Sequence, residues 1–121
     1  MSEALTFADF KKCDLRVAKI IEVAEIPGAD RLWRLTVDVG TEKKDIVAGV
    51  KAFYSREQLL GRSIIIVNNL EPTVIRGVES RGMLLAASTV KPADLSTGAK
   101  EEKRLTLLGL EADLPPGSSV G

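Results

Sequence analysis

The chain has 121 residues, 45% of them hydrophobic and 28% charged, and its 17 basic side chains balance its 17 acidic ones, which is typical of one soluble globular domain that needs no disulfide or structural metal. It contains no histidine and one cysteine, Cys13, which excludes imidazole bases, Ser-His or Cys-His nucleophilic pairs, histidine-liganded zinc and an internal disulfide. Its apolar runs are too short to cross a bilayer and its N-terminus lacks a signal peptide, so a cytoplasmic, reducing location is predicted.

The chain begins with the pattern of a short helix and a long strand. Thr6, followed three residues later by Asp9, has the form of a capping box and predicts a helix through residues 10–12. Residues 15–24 then predict the first strand. The adjacent pair Ile20-Ile21 breaks its two-residue alternation, which indicates a bulge.

A hairpin is predicted next. After a turn over residues 26–30, apolar side chains alternate over 33–39 and predict a half-buried strand. Trp33 belongs to that apolar face, which favours core packing over the alternative of stacking on a nucleic-acid base. A turn over 40–43 leads to a third strand over 44–50, antiparallel to the second.

The next segments complete the pattern of a small barrel. Ser55 caps a short helix that ends at Gly61, with Gln58 closing the capping box. The uninterrupted apolar run in residues 63–67 predicts a fourth strand that is buried on both faces. A polar loop then precedes a fifth strand over 83–88. Five antiparallel strands with a helix between the third and fourth predict a mainly β OB-fold barrel.

The whole chain, 1–121, is predicted to be one domain, with a barrel over about 14–88 and a C-terminal extension over about 89–121. Near the end of that extension lies an apolar stretch over 105–110 that includes Leu107 and Leu108. Because this stretch has no obvious place inside a closed five-stranded barrel, it is predicted to lie outside the barrel and to seal a twofold interface.

The loop before the fifth strand concentrates polar chemistry. Residues 68–83 contain two carboxamides, two arginines, two hydroxyls and two glycines, and such donors suit phosphate and sugar oxygens. Gly82 would allow close backbone approach and Met83 could lie against an unpaired base. The alternative is a long, stiffened connection without a binding role.

Four ordered segments carry a resemblance to a known family. They are residues 14–17, 26–32, 46–50 and 77–87. They resemble the tRNA-binding domain family, which includes the C-terminal domain or separate beta subunit of methionyl-tRNA synthetase and free-standing, structure-specific tRNA-binding dimers. The resemblance covers about residues 5–117 and implies an OB barrel, dimerisation through the C-terminal extension and tRNA binding without catalysis.

Position by position, the resemblance also implies a binding surface. The implied tRNA-binding residues are Asn69, Arg76, Ser80 and Met83, with Lys51 on the adjoining strand end. Arg81, at a position where relatives often have glutamine, departs from the family pattern and is predicted to add a cation to this surface. No catalytic residue, metal or cofactor is predicted. The expected function is that of a separate polypeptide, a homodimer that binds folded tRNA as the beta subunit or trans-acting cofactor of a methionyl-tRNA synthetase. A peptide-binding secretion chaperone with the same barrel is the alternative.

Overall fold

A curled antiparallel sheet forms the body of the protein in the computed structural model, which describes residues 3–121. The elements of those residues are α1 (Phe7–Phe10), β1 (Leu15–Glu25), β2 (Trp33–Asp38), β3 (Lys43–Ala48), α2 (Arg56–Leu59), β4 (Ser63–Val67), β5 (Thr73–Ile75), β6 (Val78–Ser80), β7 (Met83–Leu84), β8 (Ala86–Lys91), β9 (Glu102–Leu107) and β10 (Ser119–Val120). The sheet has the order β3-β2-β1-β4-β7, with β10 also paired to β1. The predicted mainly β barrel with a helix between its third and fourth strands is confirmed.

Both predicted helices begin at the predicted caps. The Thr6 hydroxyl accepts a hydrogen bond from the backbone N–H of Asp9 at 3.1 Å. At α2 the capping box is reciprocal, with Ser55 and Gln58 each bonded to the other's backbone N–H. Each helix contains four residues, and no helix in residues 3–121 is long enough to span a membrane.

The bulge in β1 curls the sheet. Residues Leu15 to Lys19 pair with β4, while Lys19 to Glu25 pair with β2, and the register shifts between Ile20 and Glu22. A bulge increases the local twist and bends the strand that carries it. The bulge that the broken alternation predicted is thus confirmed, and it allows one long strand to pair in both halves of the barrel.

The main core lies inside this curl and contains the fully buried side chains Ile20, Leu35, Ile46, Leu59, Ile64 and Ile66. The three isoleucines of β4 are all buried, which confirms the prediction that this strand is covered on both faces. Trp33 is buried in the same core, and its indole N–H donates to the carbonyl of Tyr54 at 2.9 Å. Trp33 is therefore a core residue and does not offer a stacking surface.

The segment predicted as a polar loop contains a hairpin, which the sequence interpretation missed. Strands β5 and β6 pair from Thr73–Ser80 to Ile75–Val78 across the two-residue turn Arg76-Gly77. Both turn residues have positive φ, 52° and 79°, as a tight primed hairpin turn requires. The hairpin packs on the outer side of the sheet, where Ile75 and Val78 join a second small core.

The predicted fifth strand is two strands. β7 pairs with β4, whereas β8 leaves the barrel and pairs with β9 to form a two-stranded arm that is exposed along all of β8. Leu85, between them, donates its N–H to Ile65 and accepts from Leu108. The prediction that the whole stretch 105–110 lies outside the barrel is wrong for Leu107, which is 7% exposed and packs in the main core, while Leu108 is exposed.

Candidate nucleic-acid interface

The seam of the barrel, between β3 and the segment Ser80-Arg81-Gly82-Met83, organises the candidate site. The backbone N–H of Val47 donates to the Ser80 hydroxyl oxygen at 3.0 Å, and that hydroxyl donates to the Gly82 carbonyl at 3.2 Å. The Arg81 N–H donates to the Asp45 carbonyl at 2.9 Å. Ser80 is 5% exposed, so its hydroxyl holds the seam closed and sets the position of the residues after it.

Gly82 lets the chain pass close to β4. Its φ is 143°, and a Cβ built there would lie 2.9 Å from the carbonyl oxygen of Val67. A side chain at this position would therefore clash with rigid backbone. Glycine allows Met83 to pair with Val67, with its own side chain 49% exposed at the barrel edge. The thioether is thus available to a ligand.

Asn69 fastens the start of the loop to the segment after α1. Its carboxamide oxygen accepts from the Asp14 N–H at 2.9 Å, and its amide nitrogen donates to the Lys12 carbonyl at 2.6 Å. The neighbouring Asn68 side chain donates to the Asp14 carboxylate at 3.0 Å. This hydrogen bond, aided by Arg16, lowers the pKa of Asp14. The Asn69 side chain is exposed, yet its two polar atoms already have partners in the protein.

Lys44 is a buried cation next to the predicted site that the sequence interpretation missed. Its side chain is inside the end of the barrel, 7% exposed, and its ammonium donates to the Asn68 carbonyl at 3.0 Å. Burial lowers the pKa of this lysine. Lys44 lies on the same face of β3 as Ile46 and Ala48. This two-residue alternation could have predicted that its side chain is buried.

The two predicted cations nearest the barrel wall have acidic partners. An Arg81 guanidinium nitrogen lies 3.3 Å from a Glu42 carboxylate oxygen. The Lys51 ammonium lies 3.0 Å from the Glu25 carboxylate and 4.7 Å from the centre of the Trp33 ring. Exposed ion pairs of this kind are weak, so both cations can turn to a phosphate when one is present.

Arg76 differs from these residues. It is exposed at the tip of the β5–β6 hairpin, and none of the ion pairs within residues 3–121 involves it. Its guanidinium can therefore donate two parallel hydrogen bonds to a phosphate or carboxylate without first breaking a contact in the protein.

The predicted site residues form a strip along the seam, with two ends. Asn69, Ser80, Arg81 and Met83 gather at the end near Asp45, whereas Lys51 and Arg76 lie at the other end. Lys51 is six residues beyond Asp45, a span of no more than about 20 Å of extended backbone. The strip offers spaced donors and one exposed thioether, which suits an extended polyanionic surface more than a small molecule.

Comparison with known proteins gives one family match and many relatives. A family model described as a putative tRNA binding domain matches residues 15–119. The methionine–tRNA ligase of Thermotoga maritima is 42% identical over 117 residues, which are 97% of this chain and 17% of that protein. The methionine–tRNA ligase of Pyrococcus horikoshii is 52% identical over 101 residues, which are 84% of this chain and 14% of that protein. The chain thus spans about one sixth of the length of these curated relatives.

Solved structures of similar size share the fold. A methionyl-tRNA synthetase (MetRS) related protein from Pyrococcus horikoshii superposes with a TM-score of 0.83 at 30% identity, over 99% of this chain and 100% of that one. The chaperone CsaA from Bacillus anthracis superposes with a TM-score of 0.77 at 26% identity, over 98% of this chain and 100% of that one.

Proposed function

The chain belongs to the tRNA-binding domain family, as its sequence motifs predicted, and on that premise we propose that it is a non-catalytic protein that recognises the folded shape of tRNA. The observation that carries this proposal is the family match over residues 15–119, which includes the whole seam and its loop. Trp33 is buried in the core, which argues against binding that depends on stacking bases along β2. Recognition of shape through backbone contacts fits the spaced donors better.

In this proposal the residues of the strip divide their roles. Arg76 and Arg81 bind phosphates, Lys51 adds a third cation, and Met83 lies against a base or ribose. Asn69 and Ser80 act as positioning residues, because their polar atoms are engaged within the protein. The few exposed charges should give weak binding with a modest dependence on salt.

We further propose that the protein assists a methionyl-tRNA synthetase in the cytoplasm, as a beta subunit or a trans-acting cofactor. The support is the identity to methionine–tRNA ligases and the match to all of a MetRS related protein. A pull-down from native cell extract, scored for tRNA and for the synthetase, tests this partner. Recovery of tRNA without the synthetase would contradict it.

A homodimer is proposed on the geometry of the arm. Every residue of β8 is exposed, and apolar Val90 and Leu108 are among the exposed side chains. Strands exposed in this way invite pairing or packing with another chain, and a second copy would cover both the arm and Leu108. Sedimentation of the protein at micromolar concentration tests the proposal, and a monomer would contradict it.

Competition for a labelled tRNA tests the main proposal. Unlabelled tRNA should displace the label well, and single-stranded RNA of equal length should displace it poorly, because the described strip lacks a row of exposed aromatic rings. Equal displacement by the two RNAs would refute recognition of shape.

A peptide-binding chaperone is the second candidate, and two observations favour it. The chain superposes on chaperones named CsaA with TM-scores of 0.77 and 0.79. In addition, Leu70, Val74 and Met83 expose apolar surface on the binding loop, which would suit unfolded chains. Binding of a reduced, unfolded protein in the same assay, with no binding of tRNA, would favour this function instead.

A further inference from the structure

A cleft on the outer side of the barrel, lined by residues 28–32 and Arg76, is a further candidate for binding RNA. We propose that Arg31, from the loop between β1 and β2, joins Arg76 in holding one backbone phosphate of the tRNA. This inference rests on the proposed function, because the phosphate belongs to the same RNA. Arg31 lies outside the binding loop, and the group that the cleft would bind is a phosphate.

The geometry brings the two arginines to one opening. The cleft has a volume of about 360 Å³ and is lined by residues 28–32 of the loop on one side and Arg76 of the hairpin tip on the other. Two arginine side chains that converge from separate elements can donate to different oxygens of the same phosphate.

Both sides of the cleft are fixed. Ile26, Ala29 and Leu32 of the loop pack against Ile75 and Val78 of the hairpin in the second small core. The loop is also tied to the segment after β3, because the Lys51 N–H donates to the Arg31 carbonyl at 3.3 Å. A ligand that enters the cleft therefore meets backbones that need no further ordering, which lowers the entropic penalty of binding.

The hairpin turn holds Arg76 at the edge of the cleft. Its φ of 52° is the value that a two-residue primed turn requires. Arg76 is exposed at this turn and takes part in none of the ion pairs within residues 3–121. Its guanidinium is therefore available to a ligand in the cleft.

The charges around the cleft favour the binding of a group with a single negative charge. Neither Arg31 nor Arg76 takes part in the ion pairs of residues 3–121, whereas the neighbouring Arg34 and Lys51 are paired with carboxylates. Asp30 also lines the cleft and opposes the two arginines, so these three side chains carry one net positive charge. One phosphodiester group would neutralise it.

Binding of an end-labelled tRNA transcript, followed by fluorescence anisotropy at several salt concentrations, tests the assignment. Arg31→Ala and Arg76→Ala should each weaken binding roughly tenfold, since each removes a charge-assisted hydrogen bond. Because the two arginines share one phosphate, the double variant Arg31→Ala/Arg76→Ala should reduce the slope of log affinity against log salt by about 1. Asp30→Asn should tighten binding. The matched control is Arg62→Ala, because Arg62 lines a different cavity with Gly109 and Asp113.

The outcomes separate this inference from the function on which it rests. If wild-type protein binds tRNA and Arg76→Ala weakens it while Arg31→Ala does not, the assignment of Arg31 is wrong and the tRNA-binding function stands. If Arg62→Ala weakens binding as much as Arg31→Ala, the cleft has no special role and the assignment is again wrong. If wild-type protein does not bind tRNA, both are overturned.

Discussion

Replacing Ser80 by alanine would show whether its hydroxyl supports the barrel or touches RNA. In the structure this hydroxyl accepts from the Val47 N–H at 3.0 Å and donates to the Gly82 carbonyl at 3.2 Å. Both Ser80 and Val47 are about 5% exposed, so Ser80→Ala would leave a buried N–H without a partner. An unsatisfied buried donor destabilises a protein by about 1 to 3 kcal/mol.

That magnitude is measurable by thermal unfolding. For a domain of this size, 1 kcal/mol corresponds to a change in Tm of about 4 °C, so Ser80→Ala should lower Tm by roughly 4 to 12 °C. Affinity for tRNA, measured well below that Tm, should fall less than it does for Arg76→Ala. Ser119→Ala is the matched control, because Ser119 is exposed and its side chain makes no hydrogen bond within residues 3–121. If Ser80→Ala left Tm unchanged and abolished tRNA binding, the hydroxyl would contact RNA and would not stabilise the barrel.

Three further predictions use different measurements. Met83→Ala should reduce tRNA affinity with little change in Tm, because the side chain is half exposed; a large fall in Tm would place it in the core. Leu108→Asp should give a folded monomer in sedimentation, whereas Leu107→Asp should unfold the protein, since Leu107 lies in the core; a folded Leu107→Asp protein would contradict that packing. The hydrogen bond from Asn68 and the neighbouring Arg16 lower the pKa of Asp14 in the folded state, so its stabilising contribution is present above the ordinary carboxyl pKa and is lost as pH falls through the lowered one. Urea unfolding of wild type and Asp14→Asn at pH 7 and at acidic pH should show a difference that shrinks with acid, and a constant difference would contradict this linkage.

Local patterns predicted the elements that depend on local chemistry. The cap residues Thr6 and Ser55 correctly predicted where both helices begin, because the hydrogen bonds that begin a helix lie within one turn. The broken alternation at Ile20-Ile21 correctly predicted the bulge, because a bulge is also a local feature of the chain. The prediction of a buried β4 succeeded because burial on both faces leaves an uninterrupted apolar run.

Features that depend on distant partners were not predictable in this way. The hairpin β5–β6 is three residues per strand and turns on Arg76, a residue type that gives little signal for a left-handed turn. The prediction that Leu107 lies outside the barrel was wrong because its neighbours in the core come from distant parts of the chain. Sequence also could not show that the Ser80 hydroxyl and the Asn69 amide are engaged within the protein, since their partners lie in distant parts of the chain.

The pairing of β10 with the start of β1 has a consequence for the order in which the protein forms. Leu15 pairs with Val120 and Arg16 with Ser119, so this pairing at the start of β1 forms only after residues 119–120 have been synthesised. Closing a loop of nearly the whole chain carries an entropic penalty that precedes any gain from the contact, so this pairing is expected to form late in folding. During translation, the edge of β1 at Leu15 and Arg16 therefore lacks its β10 partner until residues 119–120 have left the ribosome.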